Sequence, residues 1–241
     1  MVIRSHHVVL LVLAVAAGAT SAAAAPNAIR DKGIWPELDA LVVIDLPAYA
    51  EAAFAARPGR DRDRDGIPDP LDVLRGARKT LLNAASYDTA YYPIFYPGGG
   101  VPRDKEACSD VVIRALRNAG LDLQQAIAED VRKRPKAYPD VAVQKTSIDH
   151  RRVRNQVVYF ARYLTRLDTA VDPLHPEAWL PGDIALFDTL SKPGPDHIGV
   201  ISDAIGPSGL PLVINNWTFG STTAEMDLLA FVPVTHHFRM P

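Results

Sequence analysis

The chain has 241 residues and a formal net charge of −2 at pH 7, from 26 Lys and Arg residues against 28 Asp and Glu residues. This balance excludes the basic field that nucleic acid or an anionic membrane surface would require. The length suits one domain with a substantial core, and the single cysteine excludes an internal disulfide.

Residues 1–25 have the pattern of a cleaved secretory signal. Arg4 supplies the positive start, residues 8–17 form an apolar run too short to span a membrane, and residues 21–25 offer small side chains for cleavage. We therefore predict cleavage near Ala25 and a secreted or periplasmic protein, with no membrane partner after cleavage. Residues 26–241 are expected to form a single domain.

Residues 61–72 match the spacing of a calcium-binding loop. Acidic residues occupy positions 1, 3, 5, 9 and 12, and Gly66 occupies position 6, where such loops turn sharply. The predicted ligands of a structural calcium ion are Asp61, Asp63, Asp65, the carbonyl of Ile67, Asp69 and Asp72. Asp72 replaces the usual, longer Glu, which is expected to weaken the site. The alternative is a solvated charged linker in which the arginines at positions 60, 62 and 64 neutralise the acids.

Helices are predicted on both sides of this loop. The loop resembles the DxDxDG loops of dockerins and thrombospondin type 3 repeats, so its expected role is to clamp two helices. Helical periodicity or composition marks residues 48–57, 71–84 and 122–134, and a further amphipathic helix after residue 153.

The only cysteine, Cys108, lies where a Gly- and Pro-rich loop at residues 96–102 leads into another helix. Apolar residues recur with helical spacing from Val111 to Ala119, and Gly120 follows where a helix normally stops. Cys108 is therefore predicted in or just before the first turn, where unpaired amides and the helix dipole favour a thiolate. The alternative is a small, inert core residue. The aromatic-rich residues 87–96 before the loop either line a cleft or pack in the core.

Arg151 and Arg152 form a second candidate group. Two adjacent guanidinium groups can hold a substrate carboxylate through forked hydrogen bonds. Ion pairing with Asp149 or with surface acids is the alternative, because arginine pairs are usually solvated or structural.

The pattern changes after Pro181. Short apolar runs separated by Gly and Pro occupy residues 182–187, 197–202, 211–214 and 228–232, and residues 237–239 can close the set. Runs of this length and spacing predict a small antiparallel sheet or half-barrel. Helices followed by strands indicate an α+β fold.

A cysteine nucleophile needs a base, which is usually distant in sequence. His6 and His7 leave with the signal, His175 lies among prolines, and two other histidines are close to the C-terminus. His150 and His197 remain, and His197 opens a predicted strand after a Gly-Pro-Asp turn. A lone histidine is more often a structural hydrogen-bonding group, so spacing alone does not decide between roles.

Several ordered motifs carry a resemblance to known proteins. The helix-borne Cys108, the strand PGDIALF at 181–187, the strand beginning HIGV at 197 and the strand ending VIN at 215 resemble NlpC-type papain-like cysteine peptidases. A closer resemblance, over residues 71–239, is to the secreted bacterial family called domain of unknown function 1287. It rests on YPGG (96–99), CSDVVIRA (108–115), IDHRRV (148–153), PGDI (181–184) and HIGVISD (197–203).

The resemblance implies a papain-like fold in which the Cys108 helix packs on the small sheet. It also implies Cys108 as nucleophile, His197 as base and a polar orienting residue at position 215. Family members tend to have His-Asn where this chain has Asn215-Asn216, which leaves open whether Asn215 or Asn216 faces His197. The acidic loop at 61–72 is not part of the family pattern.

The implied activity is a cysteine-type peptidase or amidase that needs no catalytic cofactor, with a peptidoglycan stem peptide or another amide as substrate. One alternative on the same fold is a thioester-forming acyltransferase. A second is a non-catalytic, calcium-clamped cell-wall-binding module. A third is a structural domain with a buried, inert Cys108.

Overall fold

The computed structural model describes residues 35–56, 59–190 and 194–241. The predicted signal at residues 1–25 lies outside this part of the chain. None of the helices among the described residues is long and apolar enough to cross a membrane.

The described residues form helices first and a sheet afterwards, which confirms the α+β prediction. The helices are α1 (Ala48–Ala56), α2 (Asp69–Asn83), α3 (Cys108–Asn118), α4 (Leu123–Lys133), α5 (Val153–Tyr163) and the short α6 (Leu228–Phe231). The strands are β1 (Ser86–Tyr87), β2 (Lys105–Glu106), β3 (Thr165–Arg166), β4 (Ile184–Phe187), β5 (His197–Ile205), β6 (Pro211–Asn215), β7 (Ala224–Met226) and β8 (Val234–Arg239).

Six strands form one antiparallel sheet in the order β3-β8-β4-β5-β6-β7. His197 at the start of β5 is paired with Phe187 at the end of β4. The short parallel pair β1–β2 lies beside the sheet, and Ser86 forms an isolated bridge to Thr222. The strand at the centre of the predicted site is therefore an interior strand.

Both faces of the sheet are covered, which explains the continuous apolar runs in its strands. Helices α2 and α3 pack on one face, where Val111 and Leu116 join a core with Ile198 and Val200 of β5. The opposite face carries a smaller cluster that includes Trp179, Phe187, Ile201 and Val213.

The strand predicted at residues 228–232 is wrong. Residues 228–231 form α6, in which the amide of Val232 donates to the carbonyl of Leu228. Leu228 and Leu229 are both buried. A short apolar run fits one buried helical turn as well as a strand, and periodicity cannot separate the two.

Helix α3 holds the predicted nucleophile, and its two ends are fixed differently. At the start, the carboxylate of Asp110 accepts a hydrogen bond from the amide of Ala107 at 2.7 Å. At the end, the amide of Leu121 donates to the carbonyl of Leu116 at 2.9 Å, just past Gly120. The prediction that Gly120 follows the end of the helix is confirmed.

Candidate functional site

Cys108 is the first residue of α3 and is 7% exposed. The backbone groups of Ile198 and Ser109 lie close enough to the thiol to lower its pKa, against the larger effect of burial. Because Ile198 directly follows His197, packing of α3 on β5 brings the thiol beside the start of the strand that carries the histidine. First-turn amides of a helix have no partner within the helix, so this end of α3 can donate hydrogen bonds to a negative atom.

A buried ion pair fixes the first turn of α3. Asp110 accepts two hydrogen bonds from Arg151, from Nε at 2.8 Å and from Nη2 at 2.8 Å. The third guanidinium nitrogen of Arg151 donates to the carbonyl of Ala90 at 2.9 Å. The guanidinium group of Arg151, predicted to hold a substrate carboxylate, instead pairs with Asp110 inside the protein.

Arg152 lies in different surroundings from its neighbour. It donates to the carbonyl of Asp140 and lies 3.6 Å from a carboxylate oxygen of Asp149, with 38% of its side chain exposed. Arg151 therefore lies in a buried pair with Asp110, and the partly exposed Arg152 lies against the buried carboxylate of Asp149.

A second buried ion pair anchors the segment just before Cys108. Glu106 accepts a hydrogen bond from Nη1 of Arg114 at 2.8 Å and is also in contact with the hydroxyl of Thr223. Arg114 donates to the carbonyl of Pro102 at 2.9 Å as well, which holds the Gly- and Pro-rich loop against α3. Burial raises the pKa of Glu106 to about 7, against the opposing effect of the Arg114 charge.

His197 is buried and its Nε2 lies 3.1 Å from Oδ1 of Asn215. The other amide atom of Asn215, Nδ2, donates to the carbonyl of Val213 at 3.1 Å, which identifies the oxygen as the atom facing the ring. Since that oxygen only accepts, Nε2 carries the proton and Nδ1 has the lone pair.

The two asparagines left open by the sequence have separate roles. Asn216 turns away from the histidine and donates to the carbonyl of Ala85 at 2.9 Å and to Thr223 at 3.2 Å. The other candidate base, His150, lies on the turn Asp149–Arg151 before α5 and not on the sheet. Asn215 and His197 therefore form the pair on the sheet.

Gly199 in β5 allows β6 to approach closely enough for Asn215 to pair with His197. A Cβ atom on Gly199 would lie 2.5 Å from Cγ1 of Val213 and 3.2 Å from Cβ of Asn215. Any larger residue at this position would push β6, and with it Asn215, away from His197.

Trp217 lies against the histidine and Tyr87 lies near the thiol, and neither was predicted as a site residue. Trp217 packs edge-on against the imidazole with ring centroids 4.6 Å apart, and exposed Phe219 packs edge-on against Tyr87 at 5.1 Å. The charge of Cys108 contributes, after burial, to raising the pKa of Tyr87, so the phenol lies close to the thiol. The aromatic-rich residues 87–96 were the only sequence signal for the aromatic group formed by Tyr87, Trp217 and Phe219.

Burial decides the ionisation of the central pair. It raises the pKa of Cys108 to about 12, and the charge of Asp110 adds to the rise against hydrogen bonds from the amides of Ile198 and Ser109. Burial also lowers the pKa of His197 to about 4. Both pKa shifts favour the neutral thiol and the neutral imidazole, so burial opposes the resting thiolate that the helix dipole was expected to favour.

Alkylation of Cys108 in the folded protein is expected to be slow near about pH 7 and still rising near about pH 10, because its pKa lies above the free-thiol value of about 8.5. The measurement is the rate of iodoacetamide labelling against pH by mass spectrometry. Denatured protein is the control, in which the rate should follow the ordinary thiol titration. A labelling rate that is already at its plateau below about pH 7 would show a resting thiolate instead.

The acidic loop forms a separate group at the other end of α3. One carboxylate oxygen from each of Asp61, Asp63 and Asp65 lies within 4.8 Å of the others. Asp69 and Asp72 belong to the first turn of α2 and are buried. Burial, followed by the charges of Asp65 and Asp63, raises the pKa of Asp72 to about 7, although Asp72 is not among the three acids whose oxygens lie within 4.8 Å of one another.

Comparison with known proteins gives one family and one relative. Residues 74–240 match the family described as "Domain of unknown function (DUF1287)". The chain is 39% identical over 172 residues to "Uncharacterized protein YijF" of Escherichia coli (strain K12), an alignment that covers 70% of this chain and 80% of that protein. No solved structure matches the chain. The acidic loop precedes the residues matched by the family.

Proposed function

This chain belongs to the DUF1287 family, and on that premise we propose that it is a secreted cysteine-dependent amide hydrolase of the NlpC-like, papain-type class. The observation that supports the proposal is the 3.1 Å contact between Nε2 of His197 and Oδ1 of Asn215, beside a thiol at a helix N-terminus. The order Cys, His, Asn along the chain agrees with the resemblance to that class.

The first step is attack by Cys108 on an amide carbonyl. His197 is neutral down to about pH 4 and keeps a lone pair on Nδ1, so it accepts the thiol proton as the sulfur attacks. Asn215 holds the ring in the required tautomer and stabilises the imidazolium that forms. Burial disfavours a resting thiolate, so proton transfer and attack are coupled.

The tetrahedral intermediate carries a negative oxygen. The backbone amide of Cys108, in the first turn of α3, is proposed to donate to it, and such a donor is typically worth about 3–4 kcal/mol. His197 then gives its proton to the leaving amine, which breaks the carbon–nitrogen bond and leaves a thioester. Water hydrolyses the thioester with His197 again as base, and the thiol is restored.

The proposed substrate class is the stem peptide of peptidoglycan. The predicted secretory signal places the chain in the compartment of the cell wall, and NlpC-like proteins, which this chain resembles, act on such peptides. The exposed aromatic ring of Phe219 and the half-buried Tyr87 and Trp217 provide an apolar wall against which a peptide can lie.

The test is incubation of the mature chain with purified wall fragments of defined peptide composition. We expect wild type to release a new amine and a new carboxylate whose summed masses exceed the substrate by one water. Cys108→Ala in the same preparation should release neither.

Three results would contradict the proposal. Cleavage that persists in Cys108→Ala would assign it to another residue or a contaminant. Binding to wall fragments that is unchanged in Cys108→Ala, with no cleavage by wild type, would favour the non-catalytic module. Transfer of the acyl group to an added amine in preference to water would favour the acyltransferase.

A further inference from the structure

We propose that the acidic loop of residues 61–72 binds one calcium ion, which joins the start of α2 to the end of α3. The carboxylates of Asp61, Asp63 and Asp65 are the converging side-chain ligands, and the buried carboxylates of Asp69 and Asp72 at the start of α2 are the further candidates. The site is independent of the hydrolase chemistry proposed for Cys108.

The spacing of the first three ligands fits one central ion. Calcium binds oxygen atoms at about 2.3–2.6 Å, so two ligands of one ion lie at most about 5 Å apart. One oxygen from each of Asp61, Asp63 and Asp65 meets this limit, with all separations within 4.8 Å. Gly66 has φ of 93°, which provides the sharp turn that this loop requires.

The independent observation is a pair of buried carboxylate oxygens that the described protein atoms leave without a hydrogen bond. Asp72 is 1% exposed, and its Oδ2 has no hydrogen-bond partner. Oδ2 of Asp69 is also buried without such a partner, and its nearest cation is Arg62 at 3.8 Å. A buried anionic oxygen without a partner is costly, whereas a cation between these acids would satisfy it.

The donor set selects the class of ion. All proposed side-chain ligands are carboxylates, and the position of Ile67 in the loop corresponds to the backbone carbonyl ligand of calcium loops. Hard oxygen donors favour calcium or magnesium over zinc. Magnesium demands a smaller, near-octahedral shell and keeps several waters, so a loop that converges many oxygens favours calcium.

The site lies where α2 and α3 meet. Nδ2 of Asn118, at the end of α3, donates to the carbonyl of Asp72 at 3.0 Å and to its Oδ1 at 3.2 Å. A Cβ atom on Gly120, just past α3, would lie 3.0 Å from Cβ of Asp63. An ion in the loop would therefore fix the α2–α3 pair, and its positive charge would lie near the negative end of the α3 dipole.

The experiment is calorimetric titration of calcium into chelator-treated protein, together with thermal unfolding in calcium and in chelator. We expect one saturable site with a dissociation constant below about 1 mM. At about 100 times that constant, the unfolding temperature should rise by about 5–10 °C. Asp63→Asn should weaken binding at least about tenfold, whereas Asp104→Asn, an exposed change of equal charge outside the loop, should not.

Relative to wild type, Asp72→Asn is expected to have an equal or higher unfolding temperature in chelator and a lower one in calcium. In chelator it should unfold at the same temperature as wild type or higher, because it removes a buried carboxylate whose Oδ2 has no hydrogen-bond partner. In calcium it should lose the rise that wild type shows. Absence of saturable heat in wild type, binding by Asp63→Asn and Asp72→Asn equal to that of wild type, or an equal response to magnesium would overturn the assignment.

Discussion

Cys108→Ala and His197→Ala are each expected to lower kcat/KM for the amide substrate by at least ~10³-fold, because the nucleophile and its base act as one unit. The double variant should lose little more than either single variant, since the second residue has no function once the first is absent. The measurement is product formation under subsaturating substrate, on protein shown to be folded by circular dichroism.

Asn215→Ala tests the orienting role within the same series, with Asn216→Ala as its matched control. Both asparagines are fully buried neighbours, but only Asn215 contacts the imidazole. We expect Asn215→Ala to lower kcat. We expect the two variants to lose similar amounts of stability. Equal kcat values in the two folded variants, or more than a third of wild-type activity in His197→Ala, would contradict the Cys108-His197-Asn215 mechanism.

Arg151→Ala is expected to lower the free energy of unfolding by about 3–5 kcal/mol, the cost of leaving a buried carboxylate without its partner. Arg151 is 8% exposed and donates two hydrogen bonds of 2.8 Å to Asp110. Asp110 lies in the first turn of α3, which also carries Cys108. Chemical denaturation of wild type and variant measures the difference.

Arg152→Ala is the comparison variant, because Arg152 is adjacent in sequence but partly exposed, and it lies 3.6 Å from Asp149 instead of forming two short hydrogen bonds. Its expected cost is smaller than that of Arg151→Ala, because the partly exposed Arg152 forms the weaker ion pair. The combination Asp110→Asn with Arg151→Met should be less destabilised than Arg151→Ala alone, since it leaves no buried charge. A raised KM in Arg151→Ala with an unchanged denaturation midpoint would restore the substrate-carboxylate role.

The ion pairs Asp110–Arg151 and Glu106–Arg114 hold the residues on either side of Cys108. Asp110 fixes the first turn, yet its charge also raises the pKa of the thiol. The same carboxylate that positions the nucleophile thus adds to burial, the main cause of the raised pKa of the thiol.

Local pattern was sufficient for much of the secondary structure. The helical repeat of apolar residues predicted α2, α4 and α5 to within a few residues, and placed Cys108 at the start of α3. The loop motif around Gly66 and the strand that begins at His197 were also evident, because both depend on residues adjacent in sequence. Residues 228–231 were assigned wrongly because one helical turn has no period to detect.

The sequence by itself determined most helices, the four strands β4, β5, β6 and β8, the order of the chemical residues and the family resemblance, since each is encoded in short-range spacing. Only the tertiary structure decided which groups meet. It placed Arg151 against Asp110, 41 positions away, and chose Asn215 over Asn216 as the partner of His197. It also set the ionisation of Cys108 and Asp72, because desolvation depends on what the whole fold packs around a side chain.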